Sequence, residues 1–193
     1  MGLLYPIYSF GQVQSITQSD SSQEKLAFEL AQIYAIDQKI RDSYLLKTYP
    51  DESSKIIPVI DSINFDRFIT YVKEYGFPTK SSLGKYFHNE CVRAVGFVML
   101  LHNPRRLVED RELYQLFKNE VHNGRLSADN FALSLDKYYV MYKGKSLYNS
   151  QFKTQSNLAI KGVSIADKQL SDSLRIDIGL SPLSEDEFIN ETR

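Results

Sequence analysis

Asp37 falls in the middle of an apolar stripe, Leu26, Leu30, Ile33, Ile40 and Tyr44, whose spacings of three, four and seven are helical. A carboxylate buried in such a stripe must be paired or hydrogen-bonded, and Arg41, one turn later, has the i,i+4 spacing that lets the two meet. His102 ends a second stripe below Val92, Val95 and Met99, with His88 and Cys91 higher on the same side. An imidazole in a last helical turn is drawn toward its charged form by the helix dipole and toward its neutral form by burial. That balance suits proton transfer or ligand donation. The chemistry expected is therefore acid/base catalysis, a hydrolase or isomerase acting on a small polar or anionic substrate. His102 and Asp37 are the catalytic candidates, and Arg41 holds the anionic group. Plainer readings stand beside this one: Asp37 and Arg41 as a satisfied ion pair, His102 as the cap of its own helix, or the whole set as a non-catalytic ligand- or peptide-binding module.

Other chemistries lack their residues. His88-Asn89-Glu90 has the His-x-Glu step of zinc deaminases without the Pro-Cys-x-x-Cys partner. A metal held by His88, His102 and a carboxylate fits no standard spacing, so neither metal nor cofactor is expected. There is no Gly-x-Ser-x-Gly, Cys91 sits on an apolar helix face where a thiol stays inert, and no Gly-x-Gly-x-x-Gly or phosphate loop occurs. Lys plus Arg number 23 against 24 Asp plus Glu, a net charge of -1 that gives no footprint for nucleic acid. No run approaches the roughly 20 apolar residues of a membrane-spanning helix. The partner left by elimination is a small molecule or peptide; the oligomeric state is open.

The elements that must position these residues are read as mainly α: a single-domain bundle of about six helices. The first runs from about Ser22 to Thr48, ended by Tyr49-Pro50, with Asp51 to Lys55 as polar linker. The second starts at Asp61 as N-cap and ends at Gly76 and Pro78. The third, capped by Ser81 or Ser82, runs to His102 through the wholly apolar Ala94 to Leu101 and should be central. Asn103-Pro104 opens a fourth that ends near Val121 to Gly124; the fifth runs from Ser127 to Gly144, and a last from about Asp167 to Ile178. Residues 147–165 lose the helical period and are expected as a long aperiodic loop or small hairpin. The domain is placed at 20–183. A polar tail fills 184–193, and 1–19 is an apolar arm or the remnant of a signal peptide. Met1 to Gly11 resembles the end of a secretory h-region without its basic start, which would make the protein exported; as a packed arm it would leave the protein cytoplasmic.

The odd polar residues also stand in a recognisable order. Asp37-Gln38 with Arg41, then Asp61 and Asn64, Gly76-Phe77-Pro78, Gly84, His102, Asp136-Lys137, Tyr148-Asn149-Ser150-Gln151, and Arg175 before Gly179-Leu180 and Pro182-Leu183 follow one another through most of the chain. This order resembles a mostly bacterial family known as domain of unknown function 6624. Lys137 stands where that family usually has arginine, and Asn149 where it has glycine, so a planar two-pronged contact and a flexible loop position are both altered. The resemblance implies that Asp37, Gln38, Arg41, His102, Asp136, Tyr148, Gln151 and Arg175 share one polar pocket. Gln38, Arg41, Asp136, Tyr148, Gln151 and Arg175 would bind substrate there, with the loop at Tyr148 as a lid.

Overall fold

A computed structural model describes residues 10–150 and 162–189, with side chains from residue 20 onward. Met1 to Ser9 of the expected apolar arm and much of the loop or hairpin over 147–165, Gln151 included, lie outside the described residues. The architecture is mainly helical, as the periodicity predicts. Among the described residues the only β pairing is an isolated parallel bridge between Ser164 and Ile189. No described helix is long and apolar enough to cross a membrane.

Local capping cuts the chain into more helices than the about six expected, with different bounds. Helix α1 covers Phe10–Lys39 and α2 covers Ser43–Thr48, so the single helix expected over Ser22 to Thr48 is broken in two. The break lies at Asp42, whose carboxylate accepts from the backbone N–H groups of Tyr44 and Leu45 and starts a new helix. Tyr44, expected in the buried stripe, is left exposed on α2. Helix α3 covers Pro50–Tyr75, with proline at its start where no N–H is needed; Asp51 to Lys55 is its first turn and not a linker. Its carboxyl end is closed at Gly76, whose φ of 78° is a conformation that suits glycine.

Thr79, and neither Ser81 nor Ser82, caps α4 (Lys80–Leu83), and a 3-10 turn over Gly84–His88 leads to α5 (Glu90–His102). The helix expected to be continuous from Ser81 to His102 is thus a short turn, a tight turn and then α5. His88 is exposed before α5 begins and has no share in the stripe that ends at His102. Helix α6 (Pro104–Glu109) opens with proline as anticipated. Asp110 then accepts from the N–H groups of Glu112 and Leu113 and starts α7 (Arg111–His122). Helices α8 (Ala128–Lys143) and α9 (Lys168–Asp177) fall where their period and caps put them.

One apolar cluster joins these helices. Leu30 and Ile33 of α1, Phe65 and Phe68 of α3, Val92, Val95 and Met99 of α5, Phe117 of α7 and Phe131 and Leu135 of α8 all belong to it. The rings of Phe65, Phe68 and Phe117 stack at 6.1 and 6.3 Å. Helix α5 packs against α1, α3 and α8, the central position that its apolar run predicts. Its Gly96 lets Phe77 approach so closely that a Cβ there would lie 2.4 Å from the ring.

Candidate functional site

Three helices meet at Asp37. The residue continues the Leu30, Ile33 face of α1 by one more turn, so the packing that buries those two side chains also buries the carboxylate, which is 0% exposed. Its charge is met by protein donors. Oδ1 accepts from Nδ1 of His102 at 2.8 Å and from NH1 of Arg41 at 3.0 Å, and Oδ2 accepts from the amide of Gln38 at 2.8 Å. A carboxylate can only accept, so the proton of the contact sits on Nδ1 of His102. Nε2 is then the nitrogen left to accept or give up a proton.

Arg41 does more than pair with Asp37. The chain turns after Lys39, and the Arg41 N–H bonds to the carbonyl of Gln38, so it does not continue the α1 ladder to Asp37. The guanidinium takes that place, with NH1 donating to the Asp37 carbonyl at 3.1 Å. Its NH2 reaches both oxygens of Asp61 on α3 at 2.6 and 2.7 Å. Both terminal nitrogens are thus committed to protein acceptors, which is a positioning role. Asn64, one turn beyond Asp61, donates to the carbonyl of Ile33 at 3.4 Å and ties α3 to α1 beneath the cluster.

Two members of the network reach solvent: the side chains of Arg41 and His102 are 22% and 20% exposed, against 0% for Asp37. Lys137 of α8 also reaches it. Its ammonium donates to the carbonyl of Leu101, the residue before His102, at 2.7 Å. Burial first, and then the positive charge of Arg41, push the Lys137 amine below the usual lysine range, with Asp61 opposing them.

Asp37, Asp61 and His102 each offer a ligand atom within 4.8 Å of the others, a spacing at which a divalent cation could be held. Arg41 donates to both carboxylates of that trio, so the cation they share is already supplied by the protein. A metal would have to displace it.

Asp136, expected in the same pocket, has other partners. It is 0% exposed and, among the described residues, accepts five hydrogen bonds, all from 146–150. Oδ1 takes the N–H groups of Leu147 at 2.7 Å and Tyr148 at 3.1 Å. Oδ2 takes the Ser146 hydroxyl at 2.6 Å and the N–H and hydroxyl of Ser150, both at 3.0 Å. It is the anchor of that turn, in which Asn149 adopts a φ of 55°.

Tyr148 and Arg175 gather around this anchor and away from Asp37. The Arg175 guanidinium donates to the carbonyls of Tyr148 and, at 2.8 Å, of Ser181. The Tyr148 ring is buried against Tyr139, and burial, then Tyr114 and Tyr139, push its hydroxyl far above the usual range. Tyr148, Asn149, Ser150 and Arg175 line a cavity of about 290 Å³ with Asp129 and Glu187. The residues expected to form one pocket therefore sort into two groups: Asp37, Gln38, Arg41 and His102 in the first, Asp136, Tyr148 and Arg175 in the second.

The structure adds Asp61 and Lys137 to the first group, two residues that are not among the site residues expected from the sequence. Asp61 is not the N-cap expected: with α3 starting at Pro50 it stands at helical spacing from the buried Phe65, Phe68 and Val72 and shows the same signal as Asp37. Lys137 shows in the sequence only as the second residue of the Asp136-Lys137 motif. Compared with known proteins, the chain matches no family model, no curated protein and no solved structure.

Proposed function

We propose that the Asp37, Arg41, Asp61 and His102 network is an acid/base site for a small anionic substrate, with Nε2 of His102 as the group that takes up and returns the proton. The observation that carries this reading is the 2.8 Å contact between Nδ1 of His102 and the fully buried Asp37, on a ring that is 20% exposed. Asp37 fixes the tautomer and the orientation of the ring and stabilises positive charge that develops on it, the division of labour of a carboxylate–histidine pair. Arg41 and Asp61 hold Asp37 in place. Lys137, an ammonium with three donors and a bond to the Leu101 carbonyl, supplies the charge that attracts the anion, the role first expected of Arg41. The reading calls for no cofactor. The ordered motifs that resemble the bacterial family would then be, in their first half, the residues that build this network.

The saturation of Asp37 by three protein donors supports a second reading, a structural clamp that locks α1, α3 and α5 together. His102→Asn separates the two. Asparagine can present an N–H donor in the place of Nδ1 and nothing in the place of Nε2. On the acid/base reading this variant keeps its melting temperature within a few degrees. It loses turnover by about 10²-fold or more in a panel of small anionic esters, phosphomonoesters and isomerisable hydroxy acids. Lys137→Met raises KM more than it lowers kcat. Turnover unchanged in His102→Asn removes the acid/base reading, and a wild-type protein inert across the panel favours the clamp.

A further inference from the structure

Helix α3 carries apolar side chains on two opposite sides, and only one of them is covered. Phe65, Phe68 and Val72 face the core, whereas Ile56, Val59 and Ile63 are 51, 57 and 51% exposed. These three stand at i, i+3 and i+7, the seam spacing of a helix that pairs with another helix. The stripe continues into an apolar groove of about 260 Å³ between α2 and α3, lined by Ile40, Leu45, Tyr49, Ile56 and Ile57. Exposed apolar residues scattered singly need no explanation, but a contiguous seam and groove do.

The charges beside the seam say what fits on it. On a helical wheel Lys55 and Asp66 lie on the same flank of the seam, near its two ends, and Glu52 and Arg67 stand beyond the same two ends. When two copies of α3 run antiparallel about an axis near Ile60 and Asp61, Val59 of each packs on Ile63 of the other. Lys55 then meets Asp66, and Glu52 meets Arg67, each contact made twice. A parallel pairing would instead set Glu52 against Glu52 and lose the Lys55 contact. Asp66 has room for a second partner: Arg106 occupies its Oδ1 at 2.8 Å and its side chain is still 61% exposed. Among the described residues Lys55 and Arg67 have no ion-pair partner of their own.

We propose that this face binds a second copy of the chain, as an antiparallel α3–α3 dimer with Val59 and Ile63 at its centre. The site around His102 is not part of this inference. Sedimentation equilibrium on the full chain tests it, with circular dichroism and melting temperature as folding controls. The wild type is expected to be dimeric at about 50 µM, a concentration that an interface of ordinary size should satisfy. Val59→Glu should be a folded monomer. Glu52→Lys and Arg67→Glu should each raise the dissociation constant by about tenfold, and the double variant should restore it to within about threefold of wild type. A wild type that stays monomeric, or that binds vesicles through this face as a monomer, overturns the proposal. So does a dimer unmoved by Val59→Glu, or a double variant weaker than either single one.

Discussion

Replacing Asp136 with asparagine changes one oxygen into an amide nitrogen and removes a negative charge, with almost no change in shape. The wild-type carboxylate accepts two backbone N–H groups on Oδ1, and one N–H and two hydroxyls on Oδ2. Whichever way the asparagine amide turns, its nitrogen faces donors it cannot accept from. If it faces the Oδ1 partners, the N–H groups of Leu147 and Tyr148 are stranded. If it faces the Oδ2 partners, the N–H of Ser150 is stranded while the two hydroxyls can rotate to accept. Each hydrogen bond to a charged group is worth about 1.5–3 kcal/mol, and a buried donor left unpaired costs about 1–3 kcal/mol. Taking the cheaper orientation, and adding the weakening of the remaining bonds as the charge is lost, gives about 3–5 kcal/mol. For a chain of this size that corresponds to a fall in melting temperature of roughly 6 to 20 °C. Urea unfolding of wild type and Asp136→Asn measures the energy. Amide hydrogen exchange should show protection lost first at Leu147, Tyr148 and Ser150. A loss below about 1 kcal/mol, or exchange unchanged at those three amides, would refute the assignment of Asp136 as the anchor of the turn.

Glu120, 4% exposed, meets the Phe77 N–H at 2.7 Å and Arg125 at 2.6 and 2.7 Å. Burial pushes its carboxyl up, but Arg125 and the Phe77 N–H outweigh that and hold it below its ordinary 4.5. A lowered folded-state value means stability that is complete above pH 4.5 and is lost as pH falls through the folded value, so wild type should exceed Glu120→Gln by about 2 kcal/mol at pH 7, with the gap closing below pH 4.5 in thermal melts. Gly96→Ala should destabilise by about 1–2 kcal/mol by urea unfolding, because the methyl forced 2.4 Å from the Phe77 ring outweighs the gain in helix propensity. Arg41→Ala frees the Asp37, Asp61 and His102 trio, and Zn²⁺ at about a hundred times its dissociation constant should stabilise that variant by about 3 kcal/mol while leaving the wild-type melting curve unmoved, EDTA reversing the effect.

How legible each feature was depended on what periodicity can report. Asp37 was visible because a charge at i+4 from Ile33 interrupts an apolar stripe, and Arg41 because it stands one turn further on the same face. His102 was visible as the end of the Val92, Val95, Met99 face. Asp61 carried the same signal, but it was read from a helix start placed at Asp61 itself, where an acidic residue looks like a cap. Pro50 at the first position of α3 moves that start well upstream, and with it the meaning of Asp61. The breaks at Asp42 and Asp110 were illegible for a related reason: both interrupt apolar patterns that read as continuous, and only the bonds to the next turn's N–H groups show that each begins a new helix.

Asp136 and Lys137 show where such reading stops. Neighbours in sequence on a helix point about 100° apart, so adjacency on α8 is a reason to expect different partners, not a shared pocket. Asp136 turns to 146–150 and holds it with five bonds; Lys137 turns to the carboxyl end of α5 and donates to the Leu101 carbonyl. Both are buried or half-buried, and burial is all that a periodic pattern records. One turn of α8 thereby joins the anchored turn at Tyr148 to the network at Asp37 through a rigid element, without placing them in one cavity.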